Sequence, residues 1–262
     1  MQGMIEKRGS IGIIWIDNPP VNAISHAVRE GLIKAVENAS KDSEIKGLVL
    51  ACRGRTFMAG ADITEFASGV KPPWLGEVID TMSESSKVIV AAIFGTTFGG
   101  GLEVALGCNY RIADSNTKIG LPEVKLGIIP GAQGTQRLSR VSSVEFALKL
   151  ATLGNPVGAQ EALEAGAIDK ISNGELIDDA VSYAEELLKN NAPLKKSHTL
   201  SIDPKKYNDS FFNDYRKTIS RKTRGMAAPE CCIKAIQASV NLPFEEGVKF
   251  EREMTIECRD NP

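Results

Sequence analysis

The sequence predicts an α/β fold, because short apolar runs alternate with segments of helical periodicity between about residues 10 and 140. The apolar runs end at glycine, proline or polar residues, and the segments between them repeat apolar residues at helical spacing. Beyond about residue 144, helical periodicity dominates and strand signals are few. These observations predict an α/β core at residues 1–190, followed by a C-terminal helical region at residues 191–262.

The expected strands lie in the first half of the chain. The apolar run at residues 11–16 stops at Pro19 and Pro20, and Ser25 is then the expected N-cap of a helix. By the same reasoning, further strands are expected at residues 45–51, 88–94, 110–113 and 118–121.

The second half of the chain is typical of helices joined through one linker. The stretch 190–206 contains Pro193 and Pro204 among polar residues and is the expected linker. A last helical segment is expected from near Pro229 to the end of the chain, interrupted at Pro243. Helical spacing also recurs at residues 146–150, 159–165, 176–188 and 211–219.

The composition argues against several classes of function. The formal net charge is −2 and basic residues are spread along the chain, whereas nucleic-acid binding favours a concentrated basic stripe. The five cysteines are odd in number and lack a CxxC spacing, which indicates free thiols in a reducing compartment. The longest apolar run, residues 88–94, is too short to span a bilayer.

The glycine-rich segment 99–101 is the first candidate ligand site. Glycines between an expected strand and an expected helix let the backbone approach a ligand, and the N–H groups of a helix start attract negative charge. A nucleotide loop is not indicated, since neither Gly-Lys-Ser/Thr nor GxGxxG is present. The alternative is that the glycines serve only close packing of the helix against the strand.

Two glutamates have surroundings that favour acid/base chemistry. Glu103 is the lone carboxylate of an apolar helix start, and Glu123 follows Pro122 in a loop of glycine and apolar residues. Burial would shift their pKa values and hold one charged and the other neutral at pH 7, as general acid/base catalysis requires. The alternatives are a solvated surface position for Glu103, and a cap or surface charge for Glu123.

The segment 57–63 is a third candidate, because small residues follow an expected strand. Ala59, Gly60 and Ala61 would let a backbone N–H face a ligand, and Asp62 lies near the start of an expected helix. Turns of this kind are also common where no ligand binds.

Other catalytic chemistries have few candidate residues. The two histidines are His26, directly after the expected N-cap, and His198, in the expected linker, and both are expected to face solvent. Ser/His/Asp and Cys/His sites are therefore disfavoured, and no GxSxG is present. The His, Cys and Asp residues show no metal-ligand spacing.

Together these segments resemble the crotonase (enoyl-CoA hydratase/isomerase) family. The resemblance covers nearly the whole core, in family order and spacing, at residues 58–62, 99–103, 120–123 and 130–136. Residues 18–25 and 105–113 are most similar to one branch, the N-terminal hydratase part of peroxisomal bifunctional enzymes. Those bifunctional enzymes join a hydratase/isomerase part to a 3-hydroxyacyl-CoA dehydrogenase part.

The resemblance implies a fold and a set of site residues. The fold would be a core of repeated β-β-α units with a helical C-terminal region. Glu103 and Glu123 would be the catalytic carboxylates, and the backbone N–H groups of Ala61 and Gly100 would form the oxyanion hole. The other positions implied in substrate binding are Ala59, Asp62 and Gly131.

The resemblance also implies an activity in peroxisomal fatty-acid β-oxidation. That activity is hydration of 2-enoyl-CoA thioesters, with isomerisation of 3-enoyl to 2-enoyl thioesters as a second activity. Because coenzyme A is part of the substrate, no separate cofactor or metal is expected. Two alternatives stay open: an isomerase without hydratase activity, and a non-catalytic scaffold that binds RNA or a protein partner.

Stand-alone members of the family close with a helix of phenylalanine and basic residues that covers the CoA and a neighbouring subunit. The sequence ends at Pro262, and the resemblance places that helix beyond it. We therefore expect weaker CoA binding than in a longer chain, and a homo-oligomer such as a trimer. In a longer chain, a fused dehydrogenase part would follow.

Overall fold

The computed structural model describes residues 3–62, 64–65 and 69–260, and it has α/β architecture. Its strands are β1 (Met4–Arg8), β2 (Ile11–Ile16), β3 (Gly47–Cys52), β4 (Val88–Ile93), β5 (Thr96–Phe98), β6 (Tyr110–Ala113), β7 (Lys118–Gly120), β8 (Val157–Gly158) and β9 (Lys170–Ile171). Its α-helices are α1 (His26–Lys41), α2 (Leu75–Ser83), α3 (Gly100–Gly107), α4 (Gly134–Val141), α5 (Val144–Leu153), α6 (Ala159–Glu164), α7 (Leu176–Lys189), α8 (Asp209–Ile219), α9 (Ala228–Asn241) and α10 (Phe244–Asp260). Short 3₁₀ helices cover Pro122–Leu126 and Ser197–Thr199.

The central sheet is buried on both faces. In the described part of the chain it has six strands in the order β1-β2-β3-β4-β6-β9, and β5, β7 and β8 form a second sheet. Apart from the antiparallel pair β1–β2, the neighbours in the central sheet are parallel. Every residue of β2, β3 and β4 is buried, as expected of parallel strands covered on both sides.

Two apolar clusters cover the two faces of this sheet, because successive side chains of a strand point to opposite faces. Helix α7 covers one face through Ala180, Ala184 and Leu187. Helices α1, α2 and α8 to α10 all contribute to the cluster on the other face. The C-terminal helices thus share a core with the strands, and the predicted domain boundary at residue 190 stays a prediction.

The second sheet positions the candidate site. Strands β5 and β7 are parallel with Phe98 opposite Gly120, and the N–H of Gly99 donates to the Gly120 carbonyl at 2.9 Å. Helix α3 begins directly after β5, and the 3₁₀ helix Pro122–Leu126 begins soon after β7. The register therefore places the first turn of α3 beside the first turn of this 3₁₀ helix.

Most predicted elements of the core are present with small changes in their bounds. The strands at 11–16 and 110–113 have the predicted bounds, whereas the strand expected at 45–51 begins at Gly47, where pairing with Ile11 starts. Ser25 is the N-cap residue of α1, although its side chain accepts no capping hydrogen bond. Of the helix expected near Asp62, residues 64 and 65 are helical, while 63 and 66–68 lie outside the described residues.

The interpretation of residues 190–206 as a linker is wrong in its middle part. Ser197 begins a 3₁₀ helix and is buried. Its hydroxyl donates to the Leu106 carbonyl at 3.0 Å and accepts from Arg137 at 2.7 Å. The segment is therefore fixed against α3 and α4. No helix in the described ranges has the length and hydrophobicity needed to cross a membrane.

Candidate active site

Glu103 lies in the first turn of α3, a helix in which every residue is buried. Only 3% of Glu103 is exposed. Its Oε1 accepts hydrogen bonds from the backbone N–H groups of Ala132 and Gly134, both at 2.9 Å. A Cβ on Gly134 would lie 2.7 Å from that oxygen, so this approach requires glycine. The carboxylate is therefore held in one orientation within an apolar helix.

Glu123 lies in the first turn of the 3₁₀ helix Pro122–Leu126. Its Oε2 is buried and has no hydrogen-bond partner among the described residues. Buried polar atoms are nearly always paired, so this oxygen is free to bind a water molecule or a ligand. Gly99, with φ of 53°, lies against the same carboxylate, because its Cβ would be 2.6 Å from Oε1 of Glu123.

The pKa values of both carboxylates are raised. Burial raises the pKa of Glu103 to about 7, against the lowering effects of its two N–H donors and the Arg137 guanidinium. Burial, and next the negative charge of Glu103, raise the pKa of Glu123 to about 8. The two groups therefore interact electrostatically, and near neutral pH they favour a state with fewer than two charges.

The candidate oxyanion hole is formed by the backbone at Ala61 and Gly100. A Cβ on Gly100 would lie 3.5 Å from the nitrogen of Ala61, so the two backbone segments are adjacent. The N–H of Gly100, as the first residue of α3, has no partner inside the helix. The segment before Ala61 is anchored by a 2.9 Å hydrogen bond from the N–H of Ile24 to the Gly60 carbonyl. Ala61 itself is exposed.

The other predicted binding positions lie near these groups and have structural bonds of their own. The N–H of Ala59 donates to the Val21 carbonyl at 3.2 Å. Oδ1 of Asp62 accepts from the backbone N–H of Thr64 at 3.0 Å, which fixes the turn. Gly131 is exposed beside α10. Their roles in substrate binding stay predictions.

A third buried carboxylate, Glu251 of α10, was missed by the reasoning from sequence. It is 1% exposed, and burial, followed by the charge of Glu103, raises its pKa to about 8. A signal was present in the sequence, because Glu251 lies on the same helical stripe as Gly247, Met254 and Cys258. A glutamate on the apolar stripe of a helix indicates a buried carboxylate. No set of three candidate metal ligands in the described ranges is arranged to hold a metal ion.

Arg137 of α4 was also missed, and it supplies the buried positive charge of this region. It is 1% exposed. Its guanidinium donates to Gln133 Oε1 at 2.6 Å, to Ser197 Oγ at 2.7 Å and to Asp80 Oδ1 at 3.0 Å. These bonds fix the cation near the carboxylates, and its field lowers the pKa of Glu103.

The two histidines, which were expected to face solvent, are each partly exposed and partly buried. Nε2 of His26 lies 2.9 Å from the carbonyl oxygen of Pro72. Nδ1 of His198 lies 2.9 Å from Ser83 Oγ, and its Nε2 lies 3.2 Å from Glu84. The packing of the segment 190–206 against α2, which the sequence did not indicate, brings His198 to these partners.

The raised carboxyl pKa values predict a stability effect of pH. A carboxyl group whose pKa is higher in the folded state stabilises the fold below its unfolded pKa, and this contribution is lost as pH rises through the folded pKa. As pH rises from about 4.5 to 8, the free energy of unfolding should therefore fall less for Glu103→Gln than for the wild type. The two decreases should differ by on the order of 2 kcal/mol. Chemical denaturation at a series of pH values measures this difference.

The comparison with wild type removes effects that the two proteins share. Among these is the lowered pKa of His198, which acts in the opposite direction. Glu253→Gln is a matched control, since Glu253 is exposed on α10, and it should follow the wild-type curve. Parallel wild-type and Glu103→Gln curves would contradict the assignment of a raised pKa to Glu103.

Known proteins are similar to this chain in sequence and in fold. A family model described as enoyl-CoA hydratase/isomerase matches residues 6–207. The peroxisomal bifunctional enzyme of Cavia porcellus is 41% identical over 250 residues, which cover 94% of this chain and 34% of that protein. The chain thus spans about a third of the length of the bifunctional relatives that it matches.

Two further relatives match over most of their own length. A probable enoyl-CoA hydratase of Bacillus subtilis is 34% identical over 230 residues, covering 79% of this chain and 89% of that protein. The crystal structure of carnitinyl-CoA hydratase from Mycobacterium avium has a TM-score of 0.69 at 29% identity, covering 97% of this chain and 90% of that one. These likenesses confirm the predicted fold class.

Proposed function

Because this chain belongs to the enoyl-CoA hydratase/isomerase family, we propose that it adds water across the double bond of 2-enoyl-CoA thioesters. The observation that carries the proposal is the pair Glu103 and Glu123. Glu103 is buried, Glu123 is partly buried with a buried Oε2, and both have raised pKa values. Glu103 lies in the first turn of α3 and Glu123 in the first turn of the 3₁₀ helix Pro122–Leu126. A general acid and a general base for one small substrate need such a pair.

The thioester carbonyl is proposed to bind between the N–H groups of Ala61 and Gly100. Addition of water to C3 places negative charge on the thioester oxygen, in an enolate-like transition state. Two N–H donors directed at that oxygen stabilise the charge, and donors of this kind typically contribute about 3 kcal/mol each. The side chains of Ile24 and Leu75 pack around Gly100 and give this position an apolar boundary.

The water molecule is proposed to bind between the two carboxylates. The ionised carboxylate takes a proton from the water while the water oxygen bonds to C3, and the neutral carboxylic acid gives a proton to C2. The unpaired Oε2 of Glu123 provides a binding position for that water. Oε1 of Glu103 is held by two N–H groups, which fixes the direction in which this side chain acts.

Isomerisation of 3-enoyl thioesters is a second candidate activity. One carboxylate would remove a proton at C2 and a proton would return at C4, with the same amide pair stabilising the enolate. Members specialised as isomerases often keep one of the two carboxylates, so the presence of both here favours hydration. A non-catalytic scaffold is disfavoured, since burying Glu103 and the Oε2 of Glu123 is costly without a function.

The names of the relatives support a place in fatty-acid oxidation. Several of them are peroxisomal bifunctional enzymes or subunits of fatty acid oxidation complexes. We therefore propose that the chain acts in peroxisomal β-oxidation, as part of a longer multifunctional protein or as a homo-oligomer.

A direct assay tests the proposed hydration. Purified protein is mixed with crotonyl-CoA or with a 2-decenoyl-CoA, and loss of the enoyl absorbance is followed. We expect saturable turnover of at least one of the two, with the 3-hydroxyacyl-CoA as product by mass spectrometry. A parallel reaction with a 3-enoyl-CoA measures isomerisation. Isomerisation without any hydration would favour the isomerase alternative, and neither reaction in folded protein would favour the scaffold.

A further inference from the structure

The loop 132–135, which begins α4, has a carboxylate hydrogen-bonded on each side. The N–H groups of residues 132 and 134 donate to Glu103, both at 2.9 Å. Those of residues 133 and 135 donate to Glu251, at 2.6 and 3.0 Å, and the Thr135 hydroxyl adds a third bond to Glu251 at 2.5 Å. Four successive N–H groups are thus divided alternately between the two glutamates. A movement of the loop that changes its bonds to one glutamate therefore also changes its bonds to the other.

The conformation of this loop depends on its surroundings. Gln133, the N-cap of α4, has φ of 75° in the left-handed region, which costs a non-glycine residue on the order of 1 kcal/mol or more. Its side chain is held by Arg137 at 2.6 Å and by Asp80 at 2.9 Å. The bonds from the loop to Glu103 and to Glu251 are further contacts that stabilise this conformation.

Glu251 belongs to a helix that packs closely on α4. A Cβ on Gly247, one turn before Glu251, would lie 2.2 Å from Oε1 of Gln136. This close approach lets a glutamate side chain of α10 reach the start of α4. Charged and titratable groups that act on this cluster come from several elements: Glu103 of α3, Glu123 of the 3₁₀ helix, Arg137 of α4, Cys232 of α9 and Glu245 of α10 itself.

We propose that Glu251 is a positioning residue that holds the loop 132–135 in the arrangement in which two of its N–H groups orient the Glu103 carboxylate. The C-terminal helix α10 then forms part of the acid/base centre. Glu251 acts through the loop, and it does not touch the substrate. The inference rests on the proposed function for its effect on turnover, but not for its effect on Glu103.

Two consequences follow from this arrangement. Loss of Glu251 frees the loop and allows Glu103 to turn, and displacements of about 1 Å at a reacting group cost about 10²-fold in rate. The N–H groups of Ala132 and Gly134 lower the pKa of Glu103, so a displaced loop should make Glu103 release its proton at higher pH.

Glu251→Gln tests the proposal, since glutamine has nearly the same shape but lacks the charge and one acceptor oxygen. We expect kcat to fall by about 10- to 10²-fold while KM changes less than about threefold. ¹³C NMR of glutamate carboxyl groups, with Glu103 assigned from Glu103→Gln, should show the Glu103 titration moved to higher pH. Glu253→Gln, on the exposed side of the same helix, should leave both measurements at wild-type values.

Wild-type kcat and an unchanged Glu103 titration in Glu251→Gln would overturn the proposal. If that variant fails to fold, Thr135→Val removes the hydroxyl donor to Glu251 and keeps the backbone. Wild-type kcat and titration in Thr135→Val would overturn the proposal equally. If the wild-type protein does not hydrate any enoyl thioester, the proposed function fails, and the NMR titration alone still decides the role of Glu251.

Discussion

Replacing either Glu103 or Glu123 by glutamine should lower kcat for hydration by about 10² to 10⁴-fold, the usual contribution of a positioned acid or base. The hydrogen bonds around Glu103 make the substitution informative. A glutamine Oε1 can still accept from the N–H groups of Ala132 and Gly134, so the loop should keep its conformation. The loss would then report the missing proton transfer. Steady-state kinetics on both single variants and the double variant measure it.

The two glutamates should not act additively. If they share one water molecule, the double variant should be little worse than the poorer single variant, as found for groups that act as a unit. Glu253→Gln is again the matched control and should have wild-type kcat. Near wild-type hydration in both single variants would show that the pair is not the catalytic machinery.

Gly100→Val should lower kcat/KM for hydration by more than about 10³-fold, because it obstructs the candidate oxyanion hole. The new Cβ would lie 3.5 Å from the nitrogen of Ala61, and the two methyl groups would extend beyond it. A thioester oxygen could then reach neither N–H. The transition state would lose two hydrogen-bond donors that typically contribute about 3 kcal/mol each. The Cβ would also lie 2.9 Å from Cδ2 of Leu75, the end of a flexible side chain that can shift.

Gly158→Val is a suitable control, since the Cβ at Gly158 meets nothing within 4 Å. This variant has the same glycine-to-valine change at a position without close neighbours, and it should have wild-type kcat/KM. Circular dichroism and thermal unfolding establish that Gly100→Val is folded. A folded Gly100→Val protein with normal turnover would show that the thioester does not bind at this pair of N–H groups.

The buried position of Glu103 follows from its immediate neighbours in the sequence. The three glycines and the apolar residues around it predict a short helix without an exposed face, and the structure confirms that every residue of α3 is buried. Strand positions were predictable for a similar reason, because uninterrupted apolar runs such as β2 and β4 are buried on both faces. Their bounds were less predictable, since β3 begins where β2 can pair with it.

The bonds that orient the carboxylates could not be predicted from local patterns. The carboxylate of Glu251 accepts a hydrogen bond from the N–H of Gln133, which lies 118 residues away in the sequence. The guanidinium of Arg137 donates to Ser197, which lies 60 residues away. His198 has its partners on α2 for the same reason. The sequence indicates that Glu251 is buried, through its place on an apolar helical stripe, but it does not indicate which group any of these side chains binds.

The sequence by itself determined the α/β class and the candidate carboxylates Glu103 and Glu123, because backbone preference, apolar periodicity and glycine placement are local properties. Ala61 and Gly100 were implied by the resemblance of the motifs to the family. Only the tertiary structure decided which oxygen of Glu123 has no partner and how residues 132–135 are divided between Glu103 and Glu251. The pKa of a buried carboxylate depends on the burial, donors and charges around it. Those surroundings come from elements far apart in the chain, so they exist only when the chain has folded.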